Sequence, residues 1–152
     1  VPEISKSSQS LRIETYRLFL KLHKLFQDLN REEFRAYDLS TPQYAILVHA
    51  SEEGVPLSQI SEEMLADNSN MTRLVDRLEA RGLVRRAASP HDRRVTLVQL
   101  TPAGAELIAE LRPRHRALIE ERMGHASDEQ LATLYEALET IYQGLKQTQE
   151  QP

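Results

Sequence analysis

Cysteine is absent from the 152 residues, which excludes a disulfide framework, a thiolate metal site and a cysteine redox switch. Glycine is scarce, at five residues, and no glycine-rich loop that would cradle a phosphate is present. Tryptophan is also absent, and aromatic residues make up 5% of the chain. No apolar run approaches the roughly 18 residues that a membrane span needs. No signal-peptide pattern opens the chain, so a soluble cytoplasmic protein with no membrane partner is expected. The length fits one domain spanning 1–152, large enough for its own core.

Catalytic constellations are lacking too. The five histidines, at 23, 49, 91, 115 and 125, form no H-x-x-x-H pair. His115 with Glu120 or Glu121 has metal-like spacing but no further ligand beside it. Glu62-Glu63 and Glu120-Glu121 are adjacent carboxylates, which point apart on a helix and read as solvated faces. No nucleophile elbow is found. No active site, metal or cofactor is expected.

What is present is concentrated between Asp67 and Thr101. The polar run Asp67-Asn68-Ser69-Asn70 suits a helix start, where a short side-chain oxygen accepts from an orphan amide. Met71, Leu74, Val75 and Leu78 follow at offsets of three, four and seven, so they share one inward stripe. Gly82 provides a stop in the left-handed region. Asn68, Ser69, Asn70, Thr72, Arg73 and Arg77 then form a polar and basic face. Arginine matches guanine edges and asparagine matches adenine. Leu83 to Ala87 reads as a strand, Ser89 to Arg94 as a charged turn, and Val95 to Leu100 as the returning strand. A solvated amphipathic helix would share the first of these patterns. The basic hairpin behind it favours a reader of double-stranded DNA.

Charge distribution points the same way. Seven arginines and three acidic residues lie between Arg73 and Arg94, a local balance of +4. The chain has 19 basic and 23 acidic residues, so the remainder holds 12 against 20, or −8. One basic patch on an acidic protein is aimed at a particular polyanion, and arginine without lysine fits phosphate forks and narrow minor grooves.

The segments Leu78-Glu79-Ala80-Arg81-Gly82-Leu83-Val84-Arg85-Arg86, Asp92-Arg93-Arg94 and Leu100-Thr101-Pro102-Ala103-Gly104 resemble the MarR family of winged-helix transcription regulators. The resemblance runs from about Leu11 to Leu145. It implies a mainly α fold with a small β-hairpin wing (α+β): a winged helix-turn-helix lobe over 40–101, with dimerisation helices at 8–36 and 102–147. It makes Asn68 to Arg81 the recognition helix. Arg94 becomes the wing residue that enters the minor groove, oriented by Asp92, and Arg86 lies at the wing base near the phosphate backbone. Arg93 keeps the tip basic, and His91 contacts a phosphate or water.

The flanking pattern is helical. Leu11, Phe19, Leu22, Leu25, Phe26 and Leu29 give a long first helix to Arg35. Thr41-Pro42 starts a second, carrying Tyr44, Ile46, Leu47 and Val48 and ended by Gly54-Val55-Pro56. Leu57 to Leu65 is a short helix with Leu57, Ile60, Met64 and Leu65 inward. Thr101-Pro102 opens a fifth helix, in which Pro113 should produce a kink or slight break. Ser127 to Gln130 is a capping box before a seam of Leu131, Leu134, Leu138, Ile141 and Leu145.

The resemblance further implies a homodimer on an inverted repeat, acting as a repressor, and a small aromatic or phenolic anion as effector. Arg17 would supply the cation and Tyr37 and Tyr44 the aromatic walls; exposure of Arg17 and core burial of Tyr44 are the plain alternatives. A tryptophan-lined effector pocket is excluded. The competing readings are a winged-helix protein-interaction module and a metal-binding regulator.

Overall fold

The computed structural model describes residues 8–64 and 68–150. In order the elements are α1 (Ser8–Arg35), α2 (Thr41–His49), β1 (Val55–Pro56), α3 (Leu57–Glu63), α4 (Asn68–Ala80), β2 (Val84–Ala88), β3 (Thr96–Leu100), α5 (Pro102–Met123) and α6 (Asp128–Glu150). The chain divides into two compact units, Val1–Ile108 and Ala109–Pro152. Among the described residues no helix is long and apolar enough to cross a membrane.

Local chemistry sets the boundaries in the first unit. Helix α2 is capped by Ser40, one residue before the Thr41-Pro42 start read from the sequence. Its amide donates to Gln43 Oε1 (2.9 Å) and its hydroxyl accepts from the Gln43 amide (3.4 Å), a reciprocal capping box. Phe34, absent from the expected apolar set of the first helix, is fully buried and stacks on Tyr44, with ring centroids 4.3 Å apart.

The sheet has three antiparallel strands in the order β1-β3-β2. Strand β1 corrects the reading of Gly54-Val55-Pro56 as a helix terminator alone. Gly54 has φ +100 and donates to Ser51 Oγ (3.0 Å), which turns the chain so that Val55 pairs with Val98. A Cβ on Gly54 would stand 2.8 Å from Gln99 Cγ, so glycine is required. Pro56 is tolerated because β1 is an edge strand.

Helix α3 ends earlier than expected and turns fewer residues inward. Ile60 and Ser61 are buried, Leu57 and Met64 are half-buried, and Leu65 lies outside the described residues. His49 Nδ1 meets Glu63 Oε2 at 2.6 Å, joining the ends of α2 and α3. The stripe of α4 is buried as its spacing requires: Met71, Val75 and Leu78 are completely covered, with Leu74 nearly so. They share this core with Ile46, Leu47, Ile60, Val84 and Val98.

Helix α5 continues through Pro113 rather than breaking there. Proline removes one amide from the ladder, and the neighbouring turns keep theirs. In the second unit Ser127 caps α6 as its sequence indicates, with Ser127 N donating to Gln130 Oε1 (2.9 Å). Along α6, Leu134, Leu138, Ile141 and Leu145 remain exposed; in the first unit, Leu11, Leu18, Leu22, Leu25 and Leu29 of α1 do too.

Candidate nucleic-acid interface

The exposed side of α4 carries Asn70, Thr72, Arg73 and Arg77. This follows directly from burial of the opposite stripe, since both are locked to the 3.6-residue period. The backbone of Asn68 and Ser69 forms the first turn of α4, while their side chains, and Asp67 altogether, lie outside the described residues.

The far end of α4 is built to hold its angle. Gly82 has φ +69; its amide donates to Glu79 O (2.8 Å), and Leu83 N donates to Leu78 O (3.0 Å). This is a Schellman closure, with buried Leu78 and Leu83 as its apolar contact. Thr101 locks onto the same turn: its hydroxyl donates to Gly82 O (2.6 Å) and accepts from Gly104 N (3.1 Å). A Cβ on Gly104 would collide with the Leu83 carbonyl, which explains the glycine of the Leu100-Thr101-Pro102-Ala103-Gly104 segment.

The arginines divide into anchored and free. Arg81 donates through Nη1 to Asp38 O (2.5 Å) and through Nη2 to Tyr37 O (2.9 Å), tying the end of α4 to the turn after α1. Arg85 Nε donates to Gln99 Oε1 (2.9 Å), and Gln99 Nε2 donates to Glu53 O (3.1 Å), a chain across the sheet. Arg86 is half-buried: Nη1 donates to Glu79 Oε2 (2.6 Å), while Nη2 reaches Asp76 Oδ1 (2.7 Å) and Thr72 O (3.0 Å). Its backbone amide also donates to Glu79 Oε1 (2.9 Å). That backbone hydrogen bond, followed by the guanidinium's own hydrogen bond and charge, holds the Glu79 carboxyl below the usual range despite partial desolvation. Arg73, Arg77 and Arg93 are exposed and engage no carboxylate among the described residues.

The wing tip is a closed electrostatic unit. Asp92 accepts from Arg94 three times: from Nε (3.1 Å) and the backbone amide (3.0 Å) at Oδ1, and from Nη2 (3.0 Å) at Oδ2. The Arg94 side-chain bonds, then its amide, lower the Asp92 pKa, and the same pairing raises that of Arg94. The Arg94 side chain nonetheless stays 90% exposed, so the fork is oriented without being hidden. His91 is exposed beside it, its amide donating to Ser89 Oγ (3.3 Å).

The effector residues that the resemblance implies are not gathered within the chain. Tyr44 is a core residue on Phe34, not an open wall, and Tyr37 is half-buried. Arg17 is exposed on α1, eighteen residues before its end at Arg35 and hence about 27 Å from it along the helix. Among the described residues no group of three or more His, Asp or Glu could hold a metal ion.

Comparison with known proteins bears on this arrangement of helix, wing and flanking helices. A model of the MarR family matches residues 39–96. The HTH-type transcriptional regulator MhqR of Bacillus subtilis (strain 168) is 31% identical over 138 residues, covering 88% of this chain and 95% of its own. This chain belongs to the MarR family. Solved structures of MarR-type regulators agree in fold. CouR from Rhodococcus jostii RHA1, bound to p-coumaroyl-CoA, superposes with a TM-score of 0.76 at 28% identity, covering 88% of this chain and 95% of CouR. FabT of Streptococcus pneumoniae, in complex with DNA, gives 0.72 at 25% identity, covering 91% and 99%. The MarR fold thus accounts for the mainly helical architecture with its small antiparallel sheet.

Proposed function

We propose that this MarR-family chain is a cytoplasmic, homodimeric repressor that reads an inverted-repeat operator and releases it on binding a small aromatic or phenolic anion. It acts by binding and not by catalysis. In this reading 40–101 is the DNA-reading lobe, and 8–36 and 102–147 are dimerisation segments. The observation that carries the proposal is the Asp92-held, exposed fork of Arg94 on the same lobe as the exposed Asn70, Arg73 and Arg77 face. Free arginines supply salt-dependent phosphate affinity, and Asn70 and Arg73 supply base discrimination. FabT in complex with DNA supports the first half of the reading, and CouR bound to p-coumaroyl-CoA supports an aromatic effector. The uncovered apolar stripes of α1 and α6 support dimerisation, which would set two recognition helices about 34–36 Å apart.

The test begins with duplexes selected by the protein from a randomised library. Fluorescence anisotropy across salt then compares the selected duplex with a random one of equal length. Enrichment of an inverted repeat, with a log–log slope near −0.9 per phosphate contact, is expected. No enrichment, with equal weak binding to both duplexes, would leave the protein-interaction module as the better reading.

A further inference from the structure

We propose that Arg86 is a positioning residue: it cancels Asp76 and Glu79 beside the reading face and fixes β2 on α4, without itself contacting a phosphate. The inference rests on the DNA-reading role proposed above and deepens it. Thr72, Asp76 and Glu79 lie at offsets of four and seven, so they form one stripe of α4 next to the exposed Asn70, Arg73 and Arg77. Two carboxylates on that stripe would face the same polyanion that Arg73 and Arg77 attract. Arg86 arrives from β2 and spans all three positions with three of its donors. A fourth bond, from its backbone amide to Glu79, is independent of the side chain.

The geometry separates this role from that of a phosphate ligand. The Arg86 side chain is 25% exposed, against 90% for Arg94. For its committed donors to turn to a phosphate, Asp76 or Glu79 would have to be left unpaired beside the same DNA. The two carboxylates outnumber the one guanidinium, so removing Arg86 bares two negative charges at once. Arg86 therefore acts on DNA affinity through α4.

The experiment compares wild type, Arg86→Gln and the triple variant Arg86→Gln/Asp76→Asn/Glu79→Gln on the selected duplex across salt. Arg86→Gln is expected to weaken binding by at least about tenfold, because it leaves the Asp76 and Glu79 carboxylates unpaired beside the DNA. The triple variant is expected to recover to within about threefold of wild type with an unchanged salt slope, since no phosphate contact has been lost. A triple variant as weak as Arg86→Gln, with its slope reduced by about 0.9, would overturn the assignment and make Arg86 a phosphate ligand. If Arg86→Gln melts below the assay temperature, the triple variant, which leaves none of these three charges unpaired, carries the comparison against wild type alone. Wild-type protein binding neither selected nor random duplex would overturn the regulator reading itself, and this assignment with it. Wild-type binding without recovery overturns only the role of Arg86.

Discussion

At the residue scale, two arginines of similar sequence context have opposite surroundings. Arg94 is exposed on a half-buried partner, whereas Arg86 is half-sunk between two carboxylates. Removing Arg94 (Arg94→Ala) should weaken operator binding strongly while leaving the melting temperature within about a degree, as expected for an exposed surface change. Anisotropy and a thermal melt on the same sample check both halves. Asn70→Ala and Arg73→Ala should relax base choice at one position per half-site, by about 1–3 kcal/mol each, read by competition with single-base-substituted duplexes. The wing also has a pH signature. Asp92 is held below its ordinary value of 3.8 by Arg94, so the pair's contribution is complete above that value and is lost as pH falls through the lowered one. Titration of the Arg94 Nε–H resonance should show the fork intact near pH 5 and released in stronger acid. An unchanged resonance after Asp92→Asn would show that the pairing is not what orients the fork. The wing pair was legible in the sequence, since Asp92 and Arg94 are two residues apart. The partners of Arg86 were not, because Glu79 and Asp76 reach it only after the Gly82 turn folds β2 back along α4.

At the element scale, periodicity carried most of the information. The buried stripe of α4 was legible because four apolar residues at helical offsets leave one way to face a core. Leu78→Ala should cost about 2–5 kcal/mol in urea unfolding, since the side chain is completely covered and the cavity cannot fully collapse. Gly104→Ala is a sharper case. In an open helix this change would stabilise by up to about 1 kcal/mol. Here the methyl meets the Leu83 carbonyl, so the melting temperature should fall instead, and a rise would contradict the close approach. Strand β1 was not legible. Two residues carry no period, and the pairing of Val55 with Val98 links positions far apart in the chain. The short α3 was over-read for a related reason: seven residues give too few turns to fix an inward face.

At the scale of the whole molecule, the long terminal helices keep large side chains in water. Leu22 and Leu25 of α1 are about half exposed, as are Leu138 and Ile141 of α6. Scattered surface leucines are ordinary, but stripes of them on helices of 28 and 23 residues form the apolar surface that the proposed dimer would cover. Leu22→Asp/Leu25→Asp should shift sedimentation toward the monomer and weaken binding to the full inverted repeat far more than to a single half-site. Equal dimerisation by the variant would exclude α1 from the interface. The sequence made the α6 seam visible through its three-four spacing. It did not show whether α1 and α6 were core or surface, because periodicity identifies an apolar face without naming what lies against it.

The Arg81 anchor has one more consequence. Its fork grips main-chain oxygens of Tyr37 and Asp38, not their side chains. The turn after α1 is therefore recognised by shape alone. Drift in the residue types of that turn leaves the joint intact, provided position 38 still accepts the φ of 52 that Asp38 adopts. Position 81 has no such latitude, because no other side chain offers two parallel donors at that reach. Mechanical linkage between the first helix and the heel of α4 can thus persist while one side of the joint changes its chemistry and the other stays arginine.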